Sequence, residues 1–251
     1  MKRPIPRIST RGYYDLTNGK TLKTNHYYLY PKTSFEKLFR KKEITIMIHG
    51  LRNNKAGAAT KFLIAKRRLG QLGYKHPVIG YSYDSNTKGA HIRKHALRAL
   101  RVVEKIAQKN GKNLSHFIID LKNQSPQIKI RLLGHSLGSN VIMSTIQHLA
   151  KKSRNQNIIE SVHFFGASIP NSSPKAGKHG KVLQKIVHSH IVNCYAPLDA
   201  VLKNAHEKGE VINPLGLFGS SGKTISKYSQ RKLKPKNHRF ASYAAALKNF
   251  P

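Results

Sequence analysis

Residues 127–150, QIKIRLLGHSLGSNVIMSTIQHLA, constrain the fold of this chain more than any other stretch. The apolar alternation from Gln127 to Leu133 predicts a strand, and Gly134-His135-Ser136-Leu137-Gly138 follows it directly. Val141, Ile142, Met143, Ile146 and Leu149 then recur at helical spacing. Between a strand and a helix, G-x-S-x-G forms a nucleophile elbow, a strained turn that lifts the serine Oγ above the sheet edge. Gly134 and Gly138 let strand and helix pass closely. The free N–H groups and dipole of the following helix favour negative charge at the turn. The competing reading is a glycine-bordered turn with Ser136 as an ordinary helix cap. The strand before it and the helix after it argue for the elbow.

A chain of 251 residues with 39% apolar residues suits one α/β domain, or at most two small ones, with a substantial core. No apolar run is long enough to span a membrane. The opening MKRPIPRISTRG lacks a hydrophobic segment, so no signal peptide is expected. The single cysteine, Cys194, excludes an internal disulfide. These features predict a cytoplasmic protein. The charge stands apart: 46 Lys and Arg against 10 Asp and Glu, a formal +36. Such a field draws a protein to polyanions, whether nucleic acid, anionic lipid or acidic partners.

Residues 1–12 read as an irregular basic arm, and Tyr13–Leu16 with His26–Tyr30 as two strands of a hairpin around Asn18-Gly19. Residues 32–42 form a polar connector with room for a short helix. Strands are expected at Glu43–Ile48, Val78–Tyr83, Ile158–Ala167 and His190–Tyr195. Helices are expected at Ala56–Leu72, Lys88–Lys109, Leu114–Asn123, Lys181–His188, Val201–Glu207 and 237–250. The helix over 88–109 places Ile92, Ala96, Ala99, Val103 and Ile106 on one face. Lys94, Arg98, Arg101, Lys105 and Lys109 fall on the other, either a solvated surface or a ridge for non-specific contact with nucleic acid or an anionic membrane. Alternating strands and helices predict an α/β fold, a mainly parallel sheet with helices on both faces. Ligands in such folds sit at the carboxyl ends of strands, where Ser136, the 49–52 loop and Asp199 all fall.

A serine hydroxyl is a weak nucleophile and needs a histidine base, itself held by a carboxylate. After an elbow of this kind the acid and then the histidine follow in the chain. Asp199 is the only aspartate beyond Ser136, and it follows a strand, unlike Glu160, Glu207 and Glu210. It also suits an N-cap for the helix near Val201. His238, after a long loop at the head of the last helix, is preferred as base to His206, which lies in the same short helix region as Asp199. The oxyanion hole falls to the backbone N–H groups of Leu137 and of Leu51, with His49 and Gly50 shaping the latter loop. No cluster has metal-ligand spacing and no cofactor is expected. Gly222-Lys223-Thr224 lacks the spacing of a phosphate loop.

HG at 49–50, GHSLG at 134–138, FGAS at 165–168, Asp199 after VNCY and NH at 237–238 together resemble the α/β-hydrolase superfamily, nearest to lipase-like serine esterases with GHSLG and a VNCY…D stretch. The resemblance covers about residue 43 to the end. It implies acyl transfer to water through a serine ester. In these terms 1–42 is a basic arm and hairpin packed on the core, and 43–251 the α/β-hydrolase domain. The strand that normally precedes the histidine is not visible in 209–236, which reads as a degraded strand or a lid, and +36 is no trait of the family. The expected activity is hydrolysis of a carboxylic ester, with PLGLF at 214–218 suggesting a lipid. The alternative is a polyanion-binding protein, for nucleic acid or an anionic membrane, on a hydrolase scaffold.

Overall fold

The computed structural model describes residues 4–86 and 96–250. Its centre is an eight-stranded sheet in the order β2-β1-β4-β3-β5-β6-β7-β8. The strands are β1 (Arg7–Ser9), β2 (Tyr28–Tyr30), β3 (Glu43–Ile48), β4 (Val78–Ser82), β5 (Lys129–His135), β6 (Ile159–Phe165), β7 (Val187–Tyr195) and β8 (Tyr228–Lys232). Only β2, at the edge, runs antiparallel to its neighbour; every other pairing is parallel. The helices are α1 (Lys32–Leu38), α2 (Lys55–Gln71), α3 (Ala96–Gln124), α4 (Gly138–Ala150), α5 (Lys181–Ile186), α6 (Ala200–Glu207), α7 (Leu215–Phe218) and α8 (Phe240–Ala246).

The strand period of two divides the core between the sheet's faces. Ile44, Ile46 and Ile48 of β3, with Ile130 and Leu132 of β5, pack with α1, α3, α4 and α5. Met47, between Ile46 and Ile48, and Leu133, next after Leu132, join Phe62 and Leu69 of α2 and Phe240 and Tyr243 of α8 on the other side. Strands covered on both faces have almost no exposed position, and β3 and β4 are buried throughout.

Four expectations from the sequence are corrected. Residues 7–9 are not part of an irregular arm: they form β1, whose Ile8 is fully buried and which pairs with β4. The hairpin around Asn18-Gly19 does not form as two strands, since β2 pairs with β1 and Tyr14 makes only an isolated bridge to Thr21. Tyr13 and Tyr14 are drawn into the core instead. The two helices expected over 88–109 and 114–123 are one helix in the described residues, α3. Asn110 and Gly111, between the two expected helices, sit inside it for tertiary reasons. Asn110 Oδ1 accepts the Tyr81 hydroxyl at 2.9 Å, and a Cβ at Gly111 would lie 2.3 Å from the Ser144 Cβ of α4. The helix expected over 237–250 shrinks to Phe240–Ala246. Asn237 Oδ1 accepts the Arg239 N–H at 3.0 Å, holding a turn before it, and Arg68 Nε donates to Ala244 O at 2.9 Å, taking up one of its terminal carbonyls. In 209–236 the structure forms both α7 and the edge strand β8.

One buried ion pair ties the sheet's amino end together. Arg131 on β5 donates to Glu43 on β3 through Nε at 2.6 Å and Nη2 at 3.2 Å, and through Nη1 to Ser161 on β6 at 2.9 Å. Burial pushes the Glu43 carboxyl up, but the Arg131 guanidinium outweighs it and holds the group below its ordinary range. Removing one partner strands the other charge. Glu43→Ala is therefore expected to destabilise the protein by about 3–5 kcal/mol, a drop of roughly 6–20 °C in melting temperature. Glu36→Ala, at an exposed position, is expected to leave the melting curve in place.

Candidate active site

The site is built on the turn between β5 and α4. Ser136 adopts left-handed backbone, φ 52°, which a side chain rarely takes without support. Its N–H donates to Phe165 O of β6 at 3.0 Å, and its carbonyl accepts the Ser139 N–H at 2.9 Å and Oγ–H at 2.6 Å. The flanking glycines are close-approach positions. A Cβ at Gly134 would lie 2.6 Å from Ile142 Cδ1, and one at Gly138 2.5 Å from Ile48 O.

His238 and Asp199 converge on Ser136. His238 Nε2 lies 2.9 Å from Ser136 Oγ, and His238 Nδ1 lies 2.6 Å from Asp199 Oδ2. An ionised carboxylate only accepts, so the proton sits on Nδ1 and Nε2 is left to accept from the serine. The Asp199 side chain is fully buried and uses both oxygens. Oδ1 accepts the N–H groups of Val201 and Leu202 at 3.1 Å each, and Oδ2 accepts His238 and the Tyr243 hydroxyl at 2.6 Å. The helix cap and the histidine partner, alternatives in the sequence, are thus the two halves of one carboxylate. Burial alone would raise its pKa, but His238, Tyr243 and the Leu202 N–H outweigh burial and hold it below the ordinary range. His206 lies elsewhere, against Val211 O at 3.3 Å.

Two further contacts, invisible in the sequence, hold the histidine. His135, the second residue of GHSLG, donates through Nε2 to His238 O at 2.8 Å. Tyr243 reaches Asp199 from α8. Nothing in the spacing of either residue signals this, because both contacts cross about a hundred residues or a core layer.

The loop after β3 lies against the elbow: a Cβ at Gly50 would come within 2.9 Å of Ser136 Cβ and of His135 O. Its carbonyls are turned away by Asn53, whose Nδ2 donates to Gly50 O at 2.9 Å and Leu51 O at 2.8 Å. The N–H groups of Leu51 and Leu137 have no acceptor among the described residues. His49 anchors the loop from below. Its ring stacks on Tyr83, with centroids 4.5 Å apart, donates from Nδ1 to Gly50 O at 3.0 Å and accepts the Tyr83 N–H on Nε2 at 3.3 Å. Arg11 locks the same loop from the amino-terminal segment. It donates to Asn53 O and Asn54 O at 3.1 Å each, to Ser82 Oγ at 2.7 Å and to Asp84 at 3.3 Å. Sequence reasoning missed Arg11, which looks like one more cation in a basic arm.

Seven strands in parallel array with helices on both faces, and a left-handed serine between the central strand and its helix, decide the fold. This is the α/β-hydrolase fold. A family model described as "Protein of unknown function (DUF726)" matches residues 98–213. Among solved structures the chain is similar to a cutinase of Trichoderma reesei in complex with a phosphonate inhibitor, 17% identical over 63% of this chain and 68% of that one, TM-score 0.37. A lipase-esterase related protein of Clostridium acetobutylicum is 12% identical over 83% of this chain and 91% of that one, TM-score 0.41. A protein of Agrobacterium vitis described as "Putative hydrolase" is 12% identical over 81% of this chain and 85% of that one, TM-score 0.40.

Of the basic stripe read on this hydrolase fold, Arg98, Arg101 and Lys105 are exposed on α3. Lys109 is engaged internally, donating to Gly19 O at 2.9 Å and Thr21 Oγ1 at 2.8 Å. Lys94 and Ile92 lie outside the described residues. Cys194 is a buried core residue whose thiol is pushed up to about 12 by burial. Among the described residues no helix is long and apolar enough to cross a membrane.

Burial lowers His49 from 6.5 to about 3, with the charges of Arg11 and Lys61 adding to it, and pushes His135 well below its ordinary value. Both folded-state values lie below those of the unfolded chain, so acid protonates the unfolded chain first. The stability that neutral rings contribute is present above about pH 6.5 and is lost as pH falls toward about 3. A calorimetric series is expected to show a melting temperature that declines on acidification through about pH 6 to 4, with a shallower decline in His49→Gln.

Proposed function

We propose that the chain is a serine hydrolase that cleaves a carboxylic ester through an acyl-enzyme. The observation that carries this reading is the relay from Ser136 Oγ through His238 to Asp199, at 2.9 and 2.6 Å, on a left-handed elbow. Ser136 Oγ attacks the ester carbonyl carbon as its proton passes to His238 Nε2. The carbonyl oxygen takes the negative charge and accepts hydrogen bonds from the N–H groups of Leu51 and Leu137. Collapse breaks the carbon–oxygen bond to the leaving alcohol, which receives the proton from His238. Water then attacks the serine ester with His238 as base, releasing the acid and restoring Ser136. Asp199 keeps its negative charge throughout, fixing the histidine tautomer and stabilising the imidazolium. Tyr243 and the α6 N–H groups support that charge in a buried setting.

A fluorophosphonate probe reads an activated serine without knowledge of the substrate. The wild-type protein is expected to be labelled, and Ser136→Ala and His238→Ala to lose labelling. Asp199→Asn is expected to slow labelling by on the order of 10⁴-fold, because an amide no longer enforces the tautomer. Absence of labelling in folded wild type overturns the reading.

The oxyanion hole has its own test. A methyl group at position 50 would meet Ser136 Cβ at 2.9 Å and force the loop outward. Gly50→Ala is expected to lower ester turnover by on the order of 10²–10³-fold, as for loss of one oxyanion donor. The melting temperature checks that the variant is folded.

A further inference from the structure

Large apolar side chains left in water mark contact surfaces when they gather in one place. Here four of the exposed ones stand on segments next to the residues of the site. Leu198 is 91% exposed, Ile212 70%, Val201 53% and Leu97 51%. Leu198 and Val201 flank Asp199, directly after β7. Leu97 and Ile212 line one cleft of about 330 Å³ together with Asn140, on the first turn of α4 beyond Ser136. Elsewhere the exposed aromatics of the β2 edge are covered by cations: Arg7 lies 4.0 Å above the Tyr30 ring and Lys23 5.8 Å from that of Tyr28.

Cations stand on the same segments as this rim. Arg98 and Arg101 follow Leu97, Lys203 and Lys208 follow Val201, and Arg239 follows His238; all five are exposed. The carboxylates nearby are Glu104, Glu207 and Glu210, and Glu207 is already 3.9 Å from Lys203. With +36 over the whole chain, the face around the site repels any cationic partner. An apolar rim set among cations matches a surface with an anionic plane and an apolar layer beneath it. Nucleic acid offers the first without a layer to receive Leu198 and Ile212. A bilayer of anionic phospholipid offers both.

We propose that Leu97, Leu198, Val201 and Ile212, with the cations on the same segments, dock the protein on an anionic phospholipid bilayer with the mouth of the Ser136 site facing the membrane. The docking stands on exposure and charge alone. Its consequence for substrate, an acyl ester drawn from the bilayer, rests on the serine hydrolase reading.

The test is co-sedimentation with vesicles of phosphatidylcholine alone and of phosphatidylcholine mixed with phosphatidylglycerol. Wild type is expected to bind the mixed vesicles and not the neutral ones. Leu198→Asp/Ile212→Asp is expected to weaken binding by about tenfold or more, through lost insertion and added negative charge. Leu22→Asp/Leu63→Asp makes the same charge change at exposed apolar positions away from the rim, and is expected to bind like wild type. Equal loss in both double variants overturns the proposal, because attraction is then spread over the whole surface. Binding of wild type to duplex DNA but not to mixed vesicles also overturns it, in favour of nucleic acid. Ser136→Ala is expected to sediment like wild type, so vesicle binding and fluorophosphonate labelling can fail separately.

Discussion

The left-handed backbone at Ser136 is the constraint on which the site depends. It costs about 1–2 kcal/mol for an L-residue and persists only where its surroundings leave no alternative. Here β6 takes the Ser136 N–H, α4 takes its carbonyl through Ser139, and Gly134 and Gly138 admit neighbours that any larger side chain would exclude. Those neighbours are themselves fixed by sheet pairing, since β5 lies between β3 and β6 in register. The strained turn is thus a property of the central strands, and the loops at their carboxyl ends inherit its position.

The partners of Ser136 are held with the same redundancy. His238 is gripped at three points: Nδ1 by Asp199, the backbone carbonyl by His135, and the following helix by its packing against α2 and Phe165. Asp199 is gripped by four donors. A buried carboxylate with that many donors keeps its charge despite desolvation, which is what a neutral histidine of fixed tautomer requires. On the opposite side of the turn, Arg11 and His49 bind the 49–53 loop to β4 and to the amino-terminal segment. Residues from the first dozen positions therefore shape a loop beside Ser136, although no sequence separation suggests it.

What was legible in the sequence follows from periodicity and elimination. Strands buried on both faces write themselves as apolar runs, so EITIMI could be placed to the residue and the strand before GHSLG to within two at each end. Asp199 stood out because acidic residues are scarce, and the structure brings it to His238 and His238 to Ser136. Two outer strands were not legible, β1 beside the β2 edge and the edge strand β8. β1 is three residues long, and β8, YSQRK, is polar because one side of an edge strand meets water. The continuity of α3 was not legible either: Asn110 and Gly111, poor helix formers, are kept inside it by a hydrogen bond to Tyr81 and the close approach of α4.

By itself the sequence determined the alternation of strand and helix, the strand–turn–helix around GHSLG and the short set of candidates for its partners, because these rest on local spacing and on residue chemistry. Only the tertiary structure decided which oxygen of Asp199 serves the helix and which serves His238, that Tyr243, His135 and Arg11 belong to the site's support, and that Leu198 and Ile212 stay in water beside it. Those outcomes depend on hydrogen-bond geometry and burial between segments far apart in the chain. Such distances exist only once the sheet has brought its carboxyl ends together.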